Sequence, residues 1–406
     1  MVYQFGLSFI VKECYMTTLI SFLGVGNKQN GGYRTTNYQF SDGEVFEQTR
    51  YIGMALAQKI KPTKVILLGT SGSMWDVFLE NAGDNGMEEK WLDLSEAVDS
   101  KNVSPEHLQP FEDYLSQSLN AEVHCVLIPF AKNPKEQIEI LSVLAENLNE
   151  NEDVVIDVTH GFRHLPMLSL VAARFLKTVK KIDVQQIYYG AFEMSGDNKT
   201  PVLELESLLT MLDWVDALST FDKDGDYSVF APLLQQQGMT DTDAKQLSQA
   251  SFYERISNAS NASQKIGTVF NKIQKIETPI VDLFKPQLVQ RLKWHKEQNR
   301  GLNEQHLAKE YLHRRDYLRA AVFAMEGMIT AKISQECPLK VNDYNERESQ
   351  YKKLKEEDKE FKMLTKIRNA IAHCKPSEDG NIGQILDNEQ KLKQSLQERF
   401  KNLLED

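Results

Sequence analysis

The chain has 406 residues, of which 41% are hydrophobic and 26% charged, the proportions of an ordinary globular protein. This length exceeds what one hydrophobic core usually holds, so it predicts two domains. The formal net charge of -11 argues against a protein that coats duplex DNA, because that affinity comes mainly from neutralising phosphates. A local basic groove is still compatible with this charge.

Apolar runs and cysteines restrict the location of the chain. No apolar run approaches the roughly 18 to 20 residues that span a bilayer, so we expect no membrane segment. Residues 1–15 are apolar but lack the basic start and small-residue cleavage site of a signal peptide, and both Met1 and Met16 stay open as the natural first residue. The cysteines lack CxxC spacing, which indicates neither a zinc site nor a disulfide framework and predicts a cytoplasmic protein. They are Cys14, Cys125, Cys337 and Cys374.

The first half of the chain alternates short β-rich runs with amphipathic stretches. Predicted strands lie at 17–23, 64–68, 122–128, 154–158 and 186–189. Predicted helices lie at 44–59, 134–148 and 166–176. Several of the β-rich runs are apolar at consecutive positions, as in strands buried on both faces. The alternation predicts the βαβ units of a doubly wound parallel sheet.

The second half is predicted to be all-α. From about Glu204 onward the β-rich runs end, and leucines follow at helical spacing, at 205, 208, 209 and 212. Residues 222–226, Asp-Lys-Asp-Gly-Asp, read as a polar hinge. Longer helical segments are predicted at 262–284, 304–334 and 346–372.

Small polar loops follow three of the predicted strands, at 24–28, 69–73 and 159–164. Ligands of open parallel sheets bind beyond the carboxyl ends of the strands, which is where these loops lie. Glycines let the backbone approach a ligand, hydroxyl and N–H groups donate to phosphate, and a helix starting near Pro166 favours anions. A phosphate-rich ligand is therefore expected. His160 and His164 are four apart, but no glutamate follows the first, so a metal site is not expected.

Residues 368–373, Arg-Asn-Ala-Ile-Ala-His, combine acid-base chemistry with phosphate binding. Histidine exchanges protons near neutral pH, and the arginine fork fits phosphate oxygens. Positions five apart on a helix differ by about 140°, so Arg368 and His373 converge more naturally at a helix end or where two chains meet. Pro376 predicts such an end, placing His373 in or near the last turn. Arg368, Asn369 and His373 are the candidate catalytic residues.

Several of these motifs resemble known families. The runs 21–24, 68–75 and 157–166, the last with Thr-His-Gly-Phe-Arg, resemble the CARF domains of CRISPR-associated proteins over roughly residues 16–215. This resemblance implies a Rossmann-like domain that pairs about a two-fold axis and binds cyclic oligoadenylates made by type III CRISPR complexes. The implied ligand contacts are Gly24, Gly26, Asn27, Thr70, Ser71, Ser73, Thr159, His160, Gly161 and Arg163.

The run 368–373 resembles the signature of HEPN domains, helical modules that are mostly dimeric, metal-independent ribonucleases. A CARF domain followed by a HEPN domain is the arrangement of CRISPR ancillary ribonucleases. We therefore predict an N-terminal extension (1–15), a CARF domain (16–215), a helical linker region (216–290) and a HEPN domain (291–406). The expected function is cleavage of single-stranded RNA, activated by a cyclic oligoadenylate. Cyclic tetra-adenylate is expected because it is the common activator in such proteins and its symmetry matches a two-fold site.

Two alternatives stay open at this stage. One is a ligand sensor whose helical domain is catalytically silent, and the other is a ring nuclease whose helical half only dimerises. His160 and Arg163 leave open whether the first domain only binds the ring or also opens it. The predicted partners are single-stranded RNA, the activator and a second copy of the chain, with further assembly open; no cofactor, metal, membrane or duplex DNA is expected.

Overall fold

The computed structural model describes residues 17–29, 32–78, 87–162, 164–297, 299–373 and 380–404. The predicted N-terminal extension, Cys14, Arg163, Cys374 and Pro376 lie outside these ranges. The chain divides into two compact units, one ending at Thr210 and the other beginning at Met211. The boundaries predicted for the linker and the helical domain stay predictions.

The first unit is built on an eight-stranded, mostly parallel sheet. Its strands and those of a two-stranded ribbon (β2 and β3) are β1 (Thr17–Leu23), β2 (Lys28–Gln29), β3 (Gly32–Tyr33), β4 (Thr36–Gln39), β5 (Val45–Thr49), β6 (Lys64–Gly69), β7 (Glu122–Leu127), β8 (Asp153–Asp157), β9 (Asp183–Gly190) and β10 (Lys199–Glu204). The order in the sheet is β5-β4-β10-β9-β8-β1-β6-β7. The five strands from β9 to β7 are parallel, β10 is antiparallel to β9, and β5 is antiparallel to β4.

Side chains of the central strands enter two hydrophobic cores, one on each face of the sheet. Along β1, Leu19 and Leu23 belong to one core, whereas Ile20 and Phe22 belong to the other. Successive residues of a strand point to opposite faces, so a strand covered on both sides must be apolar at consecutive positions. This explains the predicted apolar runs and confirms the parallel α/β sheet of the first half.

Helices cover both faces of this sheet. They are α1 (Ile52–Ile60), α2 (Glu88–Asp99), α3 (Pro105–Leu119), α4 (Pro134–Glu146) and α5 (Leu165–Phe175), which continues into a short π-helical turn at Leu176–Lys180. Two neighbouring residues define the N-terminus of α4. Pro134 occupies its first turn, and the Asn133 side chain caps the helix by accepting a hydrogen bond of 3.0 Å from the N–H of Glu136. Both features are typical of helix N-termini.

The second unit is helical, and no strand occurs in its described residues. Its helices are α6 (Glu206–Asp224), α7 (Phe230–Gln236), α8 (Asp241–Arg255), α9 (Ala259–Lys275), α10 (Pro279–Leu292), α11 (Arg300–His313), α12 (Tyr317–Glu336), α13 (Tyr344–Glu357), α14 (Lys359–His373), α15 (Gly380–Leu386) and α16 (Glu389–Leu404). One hydrophobic core runs through this unit, from Trp214 to Phe400. Gly225 follows α6 with φ +74°, and a Cβ there would lie 2.8 Å from the Tyr311 hydroxyl, so glycine is required.

Several predicted element boundaries were wrong. Residues 44–59, predicted as one helix, form β5 and α1, and each of the three long segments predicted in the second half is two helices. The segment 262–284 breaks because Thr278 precedes Pro279 and is extended, with ψ 149°. Within the described residues, no helix is both long enough and apolar enough to cross a membrane.

Candidate functional site

The loops after β1 and β8 touch at the carboxyl end of the sheet. A Cβ added to Gly24 would lie 2.4 Å from the backbone nitrogen of Gly161, far closer than van der Waals contact allows. Gly161 itself has φ +117°, a conformation that L side chains rarely adopt. Gly24 and Gly161 are therefore both needed for the contact between the two loops. This is a structural role, whereas direct contact with the ligand was expected of them.

Beside these loops lies a cavity of about 260 Å³. Four of the ten residues expected to bind the ligand line it: Gly26, Asn27, Thr159 and His160. The remaining lining residues are Val25, Tyr33, Arg34, Thr36, Tyr38, Arg50, Met74, Tyr189, Gly190, Phe192 and Glu193. The sequence pattern did not predict this second group because its members are spread over short strands without periodicity, the loops beside them, and the end of β9 with the residues that follow it. The pair Tyr189-Gly190 at the carboxyl end of a predicted strand was the available signal.

Thr70, Ser71 and Ser73 do not line this cavity. Thr70 and Ser73 are buried, and the Ser73 hydroxyl donates a 2.8 Å hydrogen bond to the carbonyl of Leu23 and accepts one of 2.9 Å from the N–H of Thr70. The Ser71 carbonyl accepts a hydrogen bond from the N–H of Val103. These groups hold the turn after β6 against the end of β1 and α2–α3, so they support the neighbouring loop.

A buried carboxyl group lies beside the cavity at the end of β8. Asp157 is fully buried and accepts hydrogen bonds from the Ser21 hydroxyl and, at 2.9 Å, from the N–H of Thr159. Tyr51 donates to Ser21 at 2.6 Å, and Gly190 N–H donates to the Thr159 hydroxyl at 2.7 Å. Burial raises the pKa of Asp157 to about 6. This chain of hydrogen bonds ties the cavity-lining Thr159 to β1, α1 and β9.

His160 brings a buried nitrogen to the cavity. Its ring lies 5.4 Å from the ring of Tyr51, and its Nε2 is buried without a hydrogen-bond partner among the described residues. Burial lowers the pKa of His160 to about 4, so the imidazole is neutral at pH 7. A buried polar atom without a partner is costly, and a ligand that bonded to it would remove that cost.

Aromatic and cationic groups also line the cavity. The Arg34 guanidinium stacks 3.9 Å from the centre of the Phe192 ring, and Tyr189 donates a 3.2 Å hydrogen bond to Glu193. Arg50 adds a second guanidinium to the lining. Arginine planes and aromatic rings stack on nucleobases, and guanidinium groups bind phosphates. The cavity therefore suits a nucleotide.

The other candidate residues lie on α14. Its buried side, with Phe361, Leu364 and Ile367, packs into the core of the helical unit. Arg368 and Asn369 are half-buried and His373, the last described residue of the helix, is exposed. Within the described ranges, none of these three side chains has a hydrogen-bond or ion-pair partner in the chain. The end of the helix expected near Pro376 lies outside those ranges.

Among the residues that the structure describes, no group of three or more histidine, cysteine, aspartate or glutamate side chains could hold a metal ion. The expectation of a metal-independent reaction stays a prediction.

The first unit thus has a parallel α/β fold with a nucleotide-sized cavity at the carboxyl ends of its strands. Residues 18–193 match the family model described as CRISPR system endoribonuclease Csx1, CARF domain. The chain is also 25% identical over 245 residues to CRISPR-associated protein MJ1674 of Methanocaldococcus jannaschii. That alignment covers 55% of this chain but only 39% of the relative. The CARF resemblance is confirmed for the first unit, whereas the HEPN resemblance stays a prediction.

Proposed function

We propose that this chain is a metal-independent endoribonuclease of type III CRISPR defence that a cyclic oligoadenylate activates. The observation that carries this proposal is the CARF match of residues 18–193, within which the cavity at the strand ends lies. Arg368, Asn369 and His373, on a helix of the second unit, supply the groups for RNA cleavage. The relative's description as CRISPR-associated supports the same biological setting.

The first unit binds the activator, for which we propose cyclic tetra-adenylate. His160 and Thr159 offer a ring nitrogen and a hydroxyl, while Arg34 and Arg50 offer positive charge. Gly26 and Asn27 line the cavity from the loop after β1. A cavity of about 260 Å³ holds part of such a ring, which is consistent with two copies of the chain each binding half of it about a two-fold axis.

The second unit cleaves RNA through attack of a 2′-hydroxyl on the adjacent phosphorus. The bond from the 2′-oxygen to phosphorus forms as the bond from phosphorus to the 5′-oxygen breaks. His373 transfers the proton that the reaction moves, Arg368 stabilises the charge on the phosphoryl oxygens, and Asn369 orients the phosphate or Arg368. The products carry a 2′,3′-cyclic phosphate and a 5′-hydroxyl. Since no partner in the described chain occupies these side chains, a second copy completes the site.

The test is cleavage of labelled single-stranded RNA by the purified protein in EDTA, with and without cyclic tetra-adenylate. We expect cleavage that depends on the activator, survives EDTA and yields 2′,3′-cyclic phosphate ends. RNA methylated at the 2′-oxygens and DNA of the same sequence should stay intact. Cutting of DNA at a comparable rate would contradict the mechanism.

The same assay separates the two alternatives. A protein that binds cyclic oligoadenylates but never cuts RNA would be a sensor with a silent helical unit. Loss of the ring over time, without RNA cleavage, would identify a ring nuclease. Measuring the ring and the RNA in the same samples therefore distinguishes all three functions.

A further inference from the structure

The helical unit contains an open groove of about 790 Å³ between α11 and α16. Its floor contains Leu312 and Phe400, both buried in the core. The walls carry three lysines, a histidine and two glutamines: Lys309 and His313 from α11, and Lys393, Gln394, Gln397 and Lys401 from α16. Glu398 is the one acidic side chain of the lining.

Helical spacing places these side chains together. Lys309 and His313 are four positions apart, as are Lys393 and Gln397, and Lys401 follows four positions later. Residues four apart share one face of a helix. Each helix therefore presents a polar stripe to the groove, and the stripes face each other because α11 packs against α16.

The lysines of the groove differ from those cations of this unit that are held in ion pairs. Elsewhere Lys272 pairs with Asp243 at 2.5 Å and Arg291 with Asp222 at 2.6 Å. Among the described residues, no hydrogen bond or ion pair occupies Lys309, Lys393 or Lys401. The chain as a whole carries a formal net charge of -11, so unpaired positive charge gathered at one surface is a local exception.

The groove also has a defined relation to the helix of Arg368 and His373. Arg399 of α16 lies 3.5 Å from Glu360, the second residue of α14. This contact joins the end of α16 to the start of α14, and the two helices pack against each other, which is the arrangement of antiparallel neighbours. Lys393, near the start of α16, therefore lies toward the end of the bundle where α14 carries His373, and Lys401 lies toward the other end.

We propose that this groove binds the phosphodiester backbone of single-stranded RNA and leads the strand to α14. Lysine charges neutralise phosphates, and glutamine amides hydrogen-bond to phosphates or base edges. An open groove admits a strand that continues beyond it. A protein partner is less suited, because the apolar floor is buried and the walls expose no aromatic anchor. The inference rests on the proposed ribonuclease function for the nature of its ligand.

The test measures binding of a short 2′-O-methyl single-stranded RNA by fluorescence anisotropy, because this RNA cannot be cleaved through its 2′-oxygens. The variant is Lys309→Gln with Lys401→Gln, two exposed positions at which the substitution should leave folding intact. Binding to single-stranded nucleic acid loses about 0.7 log units per phosphate contact for each tenfold rise in salt. Two lost contacts should thus weaken binding about 25-fold at 0.1 M salt and reduce the salt slope by about 1.4.

The matched control is Lys245→Gln with Lys332→Gln, which removes the same charge from exposed positions of α8 and α12. It should bind RNA almost as the unchanged protein does. Glu398→Gln should act in the opposite direction and tighten binding, an effect that loss of folding could not produce. Equal affinities for the two lysine variants, or no RNA binding by the unchanged protein, would overturn the inference.

Two further outcomes separate this inference from the proposed function. Tight RNA binding that depends on Lys309 and Lys401, without cleavage of ordinary RNA, would support the groove and contradict the ribonuclease. If the unchanged protein cleaves RNA and the lysine variant binds RNA with unchanged affinity, the result would support the ribonuclease function and contradict the groove. The same lysine variant should also be tested on anionic phospholipid vesicles. If the unchanged protein binds the vesicles, and the variant loses vesicle binding but keeps RNA binding, the groove is a lipid-binding surface and the proposal is overturned.

Discussion

The cavity of the sheet unit and the candidate catalytic helix of the helical unit differ in how far one chain completes them. Around the cavity, lining side chains have partners within the chain: the Thr159 hydroxyl accepts a hydrogen bond from Gly190 N–H, and the Tyr189 hydroxyl donates one to Glu193. Along α14, Arg368, Asn369 and His373 have no partner in the described residues. The cavity is therefore shaped before a ligand arrives, whereas no described side chain of the same chain positions the three groups on α14.

This difference is what the two proposed tasks, ligand sensing and regulated catalysis, would require. A sensor must recognise one shape, and groups fixed in advance lose little conformational entropy on binding. A regulated catalyst must be inactive until its activator binds. Side chains without partners in their own chain stay inactive if a second copy positions them only in the active arrangement.

The largest expected effect is on RNA cleavage. His373→Ala and Arg368→Ala should each lower the activated cleavage rate by about 10²-fold or more, because they remove the proton-transfer group and the charge that stabilises the transition state. Binding of the cyclic oligoadenylate, measured by calorimetry, should be unchanged. His306→Ala, an exposed histidine of the same unit, is the control, and a normal cleavage rate for His373→Ala would place the active site elsewhere.

The second largest effect is expected on activator affinity when the shape of the cavity is changed. Gly24→Ala should weaken activator binding by about tenfold or more, because the added Cβ meets the rigid backbone of Gly161 at 2.4 Å and forces two loops apart. Gly196→Ala is the matched control, since a Cβ there meets nothing within 4 Å. The two affinities should be compared by calorimetry, and equal values would show that contact between the loops does not shape the site.

A third prediction concerns His160. Its replacement by alanine should weaken activator binding by about tenfold, the value of one hydrogen bond made by a buried nitrogen. Because burial lowers the pKa of the free His160 to about 4, contact with an anionic phosphate should raise it, so binding should take up protons and tighten as pH falls from 7 toward 5. His124→Ala is the control. Affinity that does not change with pH would exclude a contact between His160 and phosphate.

The smallest expected effect is on the stability of the helical unit. Glu254 is fully buried, which raises its pKa to about 7, although the Tyr311 hydroxyl donates to it at 2.8 Å. A carboxyl group with a raised pKa favours the folded state most at low pH, and this contribution falls as pH rises from about 4.5 to about 7. Glu254→Gln should therefore raise the melting temperature by a few degrees at pH 8 and have little effect at pH 4.5. A lower melting temperature at pH 8 would show that the carboxylate is needed.

Local patterns in the amino-acid sequence predict the central strands, the change to helices after Glu204 and the positions of the motifs. These features depend on local periodicity and on residues next to one another. Strand β1 was placed at its observed bounds, Thr17–Leu23, because a strand buried on both faces must be apolar throughout. His373 was placed on a helix for a similarly local reason.

The side chains that meet at the cavity are brought together by pairing between distant segments, which the sequence patterns did not predict. Strand β4 pairs with β10, so residues about 160 positions apart bring Thr36 and Tyr38 beside the end of β9. Thr70 and Ser73, chosen for their hydroxyl groups, instead bond to each other and to Leu23. Periodicity predicts the face that a residue occupies on its own element, but pairing between distant segments is decided by packing and by satisfaction of buried polar groups, which no local pattern records.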